Sequence, residues 1–364
     1  HDPWALAWCL VNGQIPHLAA RLGLGPGPMI ADGGFEQSYD EGSVEFPRTM
    51  LFPGGPLCSG ETEIDRDRRP GRFVLTGSAN LLRLPGAEDS LAGRAMTVRL
   101  HPFSQGEIEG YADDWVSTVL GPTRDLSIRS DRADAVGRVL RGGYPAVQPM
   151  SPRLRSAWLL DYANRLVERD AADIAPAQVP ALRKLLYLLA AAPGSELVLE
   201  RLAGSLGIAR GTVARYLEIL ESLFLIHRLP SWSRNLTNRQ VLRPKCYLTD
   251  SGLAAALGGL TQDHLVSPHG SDHLGPLVEN FVVCELLRQQ GWSATQFQLS
   301  HFRDRNGAEV DVIIETPRGV VGVEVKAASA ARTDHFKHLV GLRSAGGGVP
   351  CGRRSDTRRG ADGR

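Results

Sequence analysis

The sequence predicts an α/β chain of several domains, on three observations. An apolar strand with a polar tip lies over residues 72–80, three amphipathic helices lie over residues 181–223, and two β-branched runs flank a turn within residues 308–326. At 364 residues the chain is long enough for two or three domains, each with its own core.

Composition narrows the function classes. The formal net charge is +1, so no global field draws the chain to nucleic acid or membrane, and any basic surface must be local. No stretch approaches the ~18 uninterrupted apolar residues of a membrane span, and no signal peptide opens the chain. Five cysteines (Cys9, Cys58, Cys246, Cys284 and Cys351) are scattered, without a C-x-x-C. That predicts reduced thiols in a cytoplasmic protein and argues against a disulfide framework or zinc site. The lysines are Lys184, Lys245, Lys326 and Lys337, none preceded by Gly and followed by Ser or Thr, so the sequence holds no Walker A loop.

Taken in order, residues 1–62 carry few periodic runs, are broken by Gly and Pro from residue 25 to 60, and stay unassigned. His1 is not an initiator methionine, which suggests a fragment or processed product. Residues 63–112 hold the strand over 72–80 and a second strand over 96–100. Residues 113–180 read as a helical connector. Its main helix spans 153–170, with Leu154, Trp158, Leu159, Tyr162 and Leu166 spaced three and four apart.

Residues 181–262 read as a winged-helix-like domain. Helices are expected over 181–192, over 198–206 with Gly207 as the cap, and over 210–223 with Val213, Leu217 and Leu220 inward. Residues 225–229 and 245–249 resemble the strands of a wing. If this unit meets DNA, the third helix enters the major groove by its N-terminal end and presents Arg210, Thr212 and Arg215 to phosphates or base edges. The alternative is a packing or protein-interaction module. Residues 344–364, with Gly346, Gly347, Gly348 and five arginines, have the composition of a disordered tail.

The chemistry concentrates in residues 263–343. A four-residue loop around Thr316-Pro-Arg-Gly319 pairs Glu315 with Val320, so Ile313 faces Gly322, Asp311 faces Glu324 and Glu309 faces Lys326. Period two puts Glu309, Asp311, Glu324 and Lys326 on one face, and Val310, Val312, Ile314, Val321, Val323 and Val325 on the other. Like charges directly opposite, about 5 Å apart, repel. A divalent cation such as Mg²⁺ turns that repulsion into ligation by hard oxygens. Lys326 then lies where it can steady an attacking water or a phosphate oxygen. A helix-like run over 277–287 places Glu279 in its first turns. Asp311, the Glu324-Val-Lys326 triplet and Glu279 together resemble the active-site pattern of PD-(D/E)xK nucleases, which implies Asp311, Glu324 and Glu279 as metal ligands and Lys326 as a catalytic partner. The other reading is a solvated hairpin face with a Glu309–Lys326 ion pair.

Four motifs extend the resemblance across the chain: Arg69-Pro-Gly-Arg-Phe-Val-Leu-Thr-Gly-Ser-Ala-Asn80, Ser90-Leu-Ala-Gly-Arg94, Leu274-Gly-Pro-Leu-Val-Glu-Asn-Phe281, and Glu309-Val-Asp311 with Glu324-Val-Lys326. Together they resemble prokaryotic AAA-type ATP-binding proteins that end in a domain of unknown function, with a winged helix and a restriction-endonuclease-like part. The resemblance implies an α/β multidomain fold: a partial AAA-type α/β remnant, a helical and winged-helix middle, and a restriction-endonuclease-like mixed α/β C-terminal domain. It also implies homo-oligomers, DNA as a partner, and ATP contacts from Ser78 and Asn80 at a strand tip and from Arg94 at the transferring phosphate.

The sequence departs from that pattern. Without a Walker A lysine and its backbone cradle, phosphate binding loses its main contacts, so ATP binding is expected to be deficient. The family-like text begins near Asp65 and fades after Arg343, which suggests truncation or a disturbed reading frame at both ends. Three functions remain open: a crippled AAA-type ATPase, a Mg²⁺-dependent DNA nuclease, and a non-enzymatic DNA- or protein-binding module.

Overall fold

The computed structural model describes residues 99–345, apart from residues 112, 122–130, 175–178, 234, 236–238, 240–241, 268–269, 306 and 328–332. Among the described residues it is a mixed α/β structure with eleven α-helices and two small antiparallel sheets. The expectations for residues 1–62, for Ser78, Asn80 and Arg94, and for nearly all of the tail lie outside the described residues.

Helices α1 (Gln105–Glu109) and α2 (Trp115–Leu120) come first. Ser104 opens α1 with a capping box: its hydroxyl accepts from the Glu107 N–H, and the Glu107 carboxylate accepts from the Ser104 N–H. Arg99 and Leu100 carry no regular structure, so the strand expected over 96–100 does not reach its last two positions. α3 (Arg132–Arg141), α4 (Pro152–Ile174) and α5 (Val179–Ala191) follow. On α4, Leu159 and Leu166 are buried and Trp158 and Tyr162 pack on the same core, whereas Leu154, expected on the same face, is exposed.

The three helices and two strands expected over residues 181–249 are present. β1 (Ser195–Glu196) and α6 (Leu199–Leu206) follow α5, then α7 (Arg210–Ser222), β2 (Ile226–Leu229) and β3 (Lys245–Leu248). Gly207 ends α6 in the left-handed conformation, and Val213, Leu217 and Leu220 of α7 point inward. The first sheet has the order β1-β3-β2, with Ser195 opposite Cys246 and Ile226 opposite Leu248. α8 (Ser251–Leu257), α9 (Gln262–Val266) and α10 (Ser271–Gln289) close this half. Its core runs without interruption from Val136 and Leu159 through Leu186 and Leu217 to Leu277, so the segment before residue 180 shares one interior with the segment after it.

The second sheet is a meander of β4 (Gln298–Arg303), β5 (Glu309–Thr316) and β6 (Gly319–Val323), followed by α11 (Lys337–Ala345). Glu315 faces Val320 and Ile313 faces Gly322, the register the turn dictates. Val312, Ile314 and Val321 form a second core with Val283, Leu287 and Tyr247. Val310 leaves the face expected for it. A register shift between Ser300 and Phe302 of β4 re-aims the start of β5, and Val310 packs with Ile313 near Trp232 and Phe302. The chain leaving β2 joins the two sheets: Ser231 bridges to His301, the Trp232 and Phe302 rings lie 6.2 Å apart, and Arg239 grips Glu315 with two hydrogen bonds of 2.6 and 3.0 Å.

α10 carries apolar residues on more than one side because it crosses both cores, giving Leu274 and Leu277 to the first and Val283 and Leu287 to the second. The ion group at its C-terminal end is structural. The Arg288 guanidinium donates to Asp250 at 3.0 Å and pairs with Glu285. Asp250 also caps α8 through the Leu253 N–H and accepts from the Gly143 N–H at 2.7 Å. Glu285 accepts from the Gln105 N–H at 2.9 Å, which ties α1 to α10. A Cβ on Gly143 would lie 2.1 Å from the Phe103 carbonyl oxygen, so this turn requires glycine.

Candidate functional site

The site forms where β3, α10 and the β5–β6 hairpin meet. Asn280, fully buried on α10, accepts from the Leu248 N–H at 2.8 Å and donates to the Leu248 carbonyl at 3.1 Å. This backbone clamp sets the height of β3 against α10. Alternation along β3 then sends Cys246 and Leu248 into the first core, Tyr247 to the second and Lys245 among carboxylates. Glu279 lies about two turns into α10 rather than in its first turns, since the helix begins at Ser271.

Glu279 Oε1 accepts from Lys245 Nζ at 2.9 Å and from the Tyr247 hydroxyl at 2.6 Å. Lys245 Nζ also lies 2.7 Å from Glu309 Oε1 and 3.8 Å from Asp311 Oδ1. The backbone pairing of β5 with β6 ends at Val312 and Val323, so Asp311 and Glu309 do not pair with Glu324 and Lys326 as the turn register predicts; instead the Asp311 carboxylate accepts at Oδ2 from the Val325 N–H at 2.8 Å, which holds Asp311 beside Glu324. Lys326 Nζ pairs with Glu324 and lies 3.9 Å from Asp311 Oδ2. The sheet face is therefore not a solvated one. Asp311 is buried, and Glu309 pairs with Lys245 instead of Lys326. Arg303 flanks the group, 3.6 Å from both Glu309 and Glu196. Gly194 makes room on the other side: a Cβ there would lie 3.0 Å from Glu279 Oε1, and its φ of +78° suits glycine.

The electrostatics follow from burial and crowding. Burial pushes the Glu279 pKa up, Lys245 opposes the shift and the nearby Asp311 charge adds to it. Burial also raises Glu324, with its partner Lys326 opposing. Burial works against the Lys245 charge, yet Glu279 and Glu309 outweigh it and hold its pKa above the ordinary lysine value. Burial works against the Glu309 charge as well, and the Lys245 hydrogen bond overcomes it, so Glu309 is lowered. The Tyr247 hydroxyl is raised well above its ordinary value by burial and by Glu279, and stays a donor.

The four residues expected at the site, Glu279, Asp311, Glu324 and Lys326, thus come together from three elements. Lys245 and Tyr247 complete the group and were not expected there. The available signal was scarcity: Lys245 is one of four lysines and heads the otherwise uncharged strand Lys245-Cys-Tyr-Leu248. Asp311 and Glu324 fit a Mg²⁺ ion, which takes one or two carboxylates and keeps several waters. Glu324 Oε2 is buried without a hydrogen-bond partner, an oxygen that a cation would satisfy. Glu279 does not join them as placed, because its Oε1 already takes Lys245 and Tyr247. Among the described residues no group of three or more His, Cys, Asp or Glu side chains is arranged to hold a metal.

Arg210, Thr212 and Arg215 form a separate group on the first turns of α7. Arg210 and Arg215 are exposed and Thr212 is half-buried, and Arg210 lies 3.2 Å from Glu200. Cys246 and Cys284 are buried free thiols. Among the described residues no helix is long and apolar enough to cross a membrane.

Comparison with known proteins matches residues 62–109 to an AAA domain, residues 132–264 to a domain of unknown function (DUF8612) and residues 274–360 to another (DUF4143). An uncharacterized protein of Mycobacterium tuberculosis and one of Mycobacterium bovis are each 30% identical over 270 residues, which is 73% of this chain and 54% of theirs. The chain spans about half the length of these curated relatives. No solved structure matches it. The matches fit an AAA-type protein that carries a C-terminal domain of unknown function.

Proposed function

We propose that this chain is part of an AAA-type ATP-binding protein whose C-terminal part cleaves DNA with Mg²⁺, in the manner of PD-(D/E)xK nucleases. One observation carries the reading: Glu279, Asp311, Glu324 and Lys326, drawn from α10, β5 and the segment just after β6, crowd around one point, with Lys326 the most exposed of the four. Asp311 and Glu324 would hold the ion, which when bound activates water and offsets charge on the scissile phosphate. Lys326 reaches solvent and binds a phosphate oxygen from the open side. Lys245 and Tyr247 fix Glu279, whose raised pKa suits it to hold a proton near the leaving oxygen.

The unit from α5 to β3 reads as a winged helix that docks duplex DNA by Arg210, Thr212 and Arg215 at the start of α7. The chain after β2, where a wing would project, is engaged with β4 and Glu315, which leaves α7 as the contacting element. In the AAA-type part, Ser78, Asn80 and Arg94 face ATP in this reading, although the sequence has no Walker A lysine.

The test is cleavage of plasmid and single-stranded DNA by the full chain with Mg²⁺ or Mn²⁺, beside Asp311→Asn and Lys326→Ala. Cutting should require the metal and vanish in both variants. Cutting that survives Asp311→Asn, or none from folded wild-type protein, would refute the nuclease reading.

A further inference from the structure

We infer that Lys245 is the site's built-in second cation: its ammonium takes the place of one divalent ion and leaves room for a single metal at Asp311 and Glu324. The inference rests on the metal-binding reading of those two carboxylates. It goes further by giving a specific task to a residue from the other half of the fold.

The geometry is that of an ion in a cage. Lys245 is 3% exposed, and its Nζ lies 2.9 Å from Glu279, 2.7 Å from Glu309 and 3.8 Å from Asp311. Three carboxylates from two elements thus converge on one compact charge. A buried, unneutralised carboxylate is costly, so these three need a cation whether or not metal is present. The residue type fits the task. Lysine ends in a small point charge with three donors, one for each of the three carboxylates. Among the 41 Lys and Arg residues only four are lysines, and two of these four are here. Lys245 is also held in place. β3 is paired on both edges, by β1 and β2, and is clamped end-on by Asn280.

Glu279 and Glu309 are matched to the Lys245 ammonium, which leaves Asp311 and Glu324 for one divalent ion. The buried Glu324 oxygen without a partner marks the side on which that ion belongs.

The test is Mn²⁺ binding to the full chain by titration calorimetry, for wild type, Lys245→Ala, Lys245→Arg and Lys245→Ala/Glu309→Gln. The expected result is one further Mn²⁺ per chain in Lys245→Ala, absent from Lys245→Arg and lost again when Glu309 is also changed. Equal stoichiometry in wild type and Lys245→Ala overturns the inference. Should wild type bind no ion and Lys245→Ala bind one, the role of Lys245 stands and the metal reading of Asp311 and Glu324 falls. Should neither bind, both fall. If Lys245→Ala does not fold alone, circular dichroism of Lys245→Ala and Lys245→Gln with and without Mn²⁺ decides. Folding restored by the ion supports the inference, and failure to fold with it overturns the inference.

Discussion

Changing Asp250 to Asn removes one negative charge, and one of two hydrogen-bond acceptor oxygens, from the interior. Asp250 is fully buried and serves three donors: the Arg288 guanidinium at 3.0 Å, the Gly143 N–H at 2.7 Å and the Leu253 N–H at 3.0 Å at the start of α8. Asparagine keeps one oxygen to cap α8 about as well as aspartate does, but its NH2 stands where Oδ2 accepted from Gly143 and Arg288, so the substitution removes the ionic partner together with those two hydrogen bonds. Arg288 keeps Glu285 but loses its second partner, with its side chain still 1% exposed. Breaking one side of a buried pair costs about 3–5 kcal/mol. Against a whole stability of about 5–15 kcal/mol, the variant should unfold at far lower urea. Arg288→Met, which strands two carboxylates, should do the same. In Asp250→Asn/Arg288→Met neither Arg288 nor Asp250 is left as a stranded charge and only Glu285 remains, so the loss should fall short of the sum of the two single losses by about 2 kcal/mol or more. Urea unfolding of the four proteins at pH 7 measures this. Losses that add within about 0.5 kcal/mol would refute the coupled ion group.

Two further outcomes follow from single residues. His301 is fully buried, and burial pushes its pKa down to about 4; His101 and His227 are pushed down to about 3 and about 4 by the same cause. The unfolded chain therefore takes up protons near pH 6.5 that the folded chain refuses. Stability is whole above that pH and falls toward pH 4, by up to about 1.4 kcal/mol per pH unit for each histidine, and His301→Gln should flatten the fall in a pH series of urea midpoints. Gly137→Ala on α3 meets nothing within 4 Å and should raise stability by about 0.5–1 kcal/mol, while Gly143→Ala, aimed at the Phe103 carbonyl, should cost about 2 kcal/mol or more by thermal unfolding.

What was legible in the sequence was local. Turn chemistry at Thr316 to Gly319 fixed the register of β5 against β6, and spacing fixed α7 and most of α4. The Ser104 and Glu107 capping box is equally local, since Ser-x-x-Glu is a helix start signal. The remainder depends on contacts between distant residues. Lys245 alternates correctly on its strand, but period two says only that it shares a side with Tyr247, not that Glu279 and Glu309 wait there. Arg288 ends an apolar helix and reads as a solvated cap. Its burial depends on Asp250, on a different element. The run over 277–287 places Glu279 near a helix start, whereas α10 begins at Ser271 and runs through Pro276.

β3 is four residues long and faces two ways: Cys246 and Leu248 into one interior, Lys245 and Tyr247 toward the other. It behaves like a party wall between two houses, which neither owner can remove alone. A gene rearrangement that exchanged the DUF4143-like half for another would take Glu279 and Glu309 away from their ammonium; one that exchanged the preceding half would leave three acids facing one another. Descent should therefore keep the two halves together as one heritable block, and changes at position 245 should be accompanied by changes at 279 or 309.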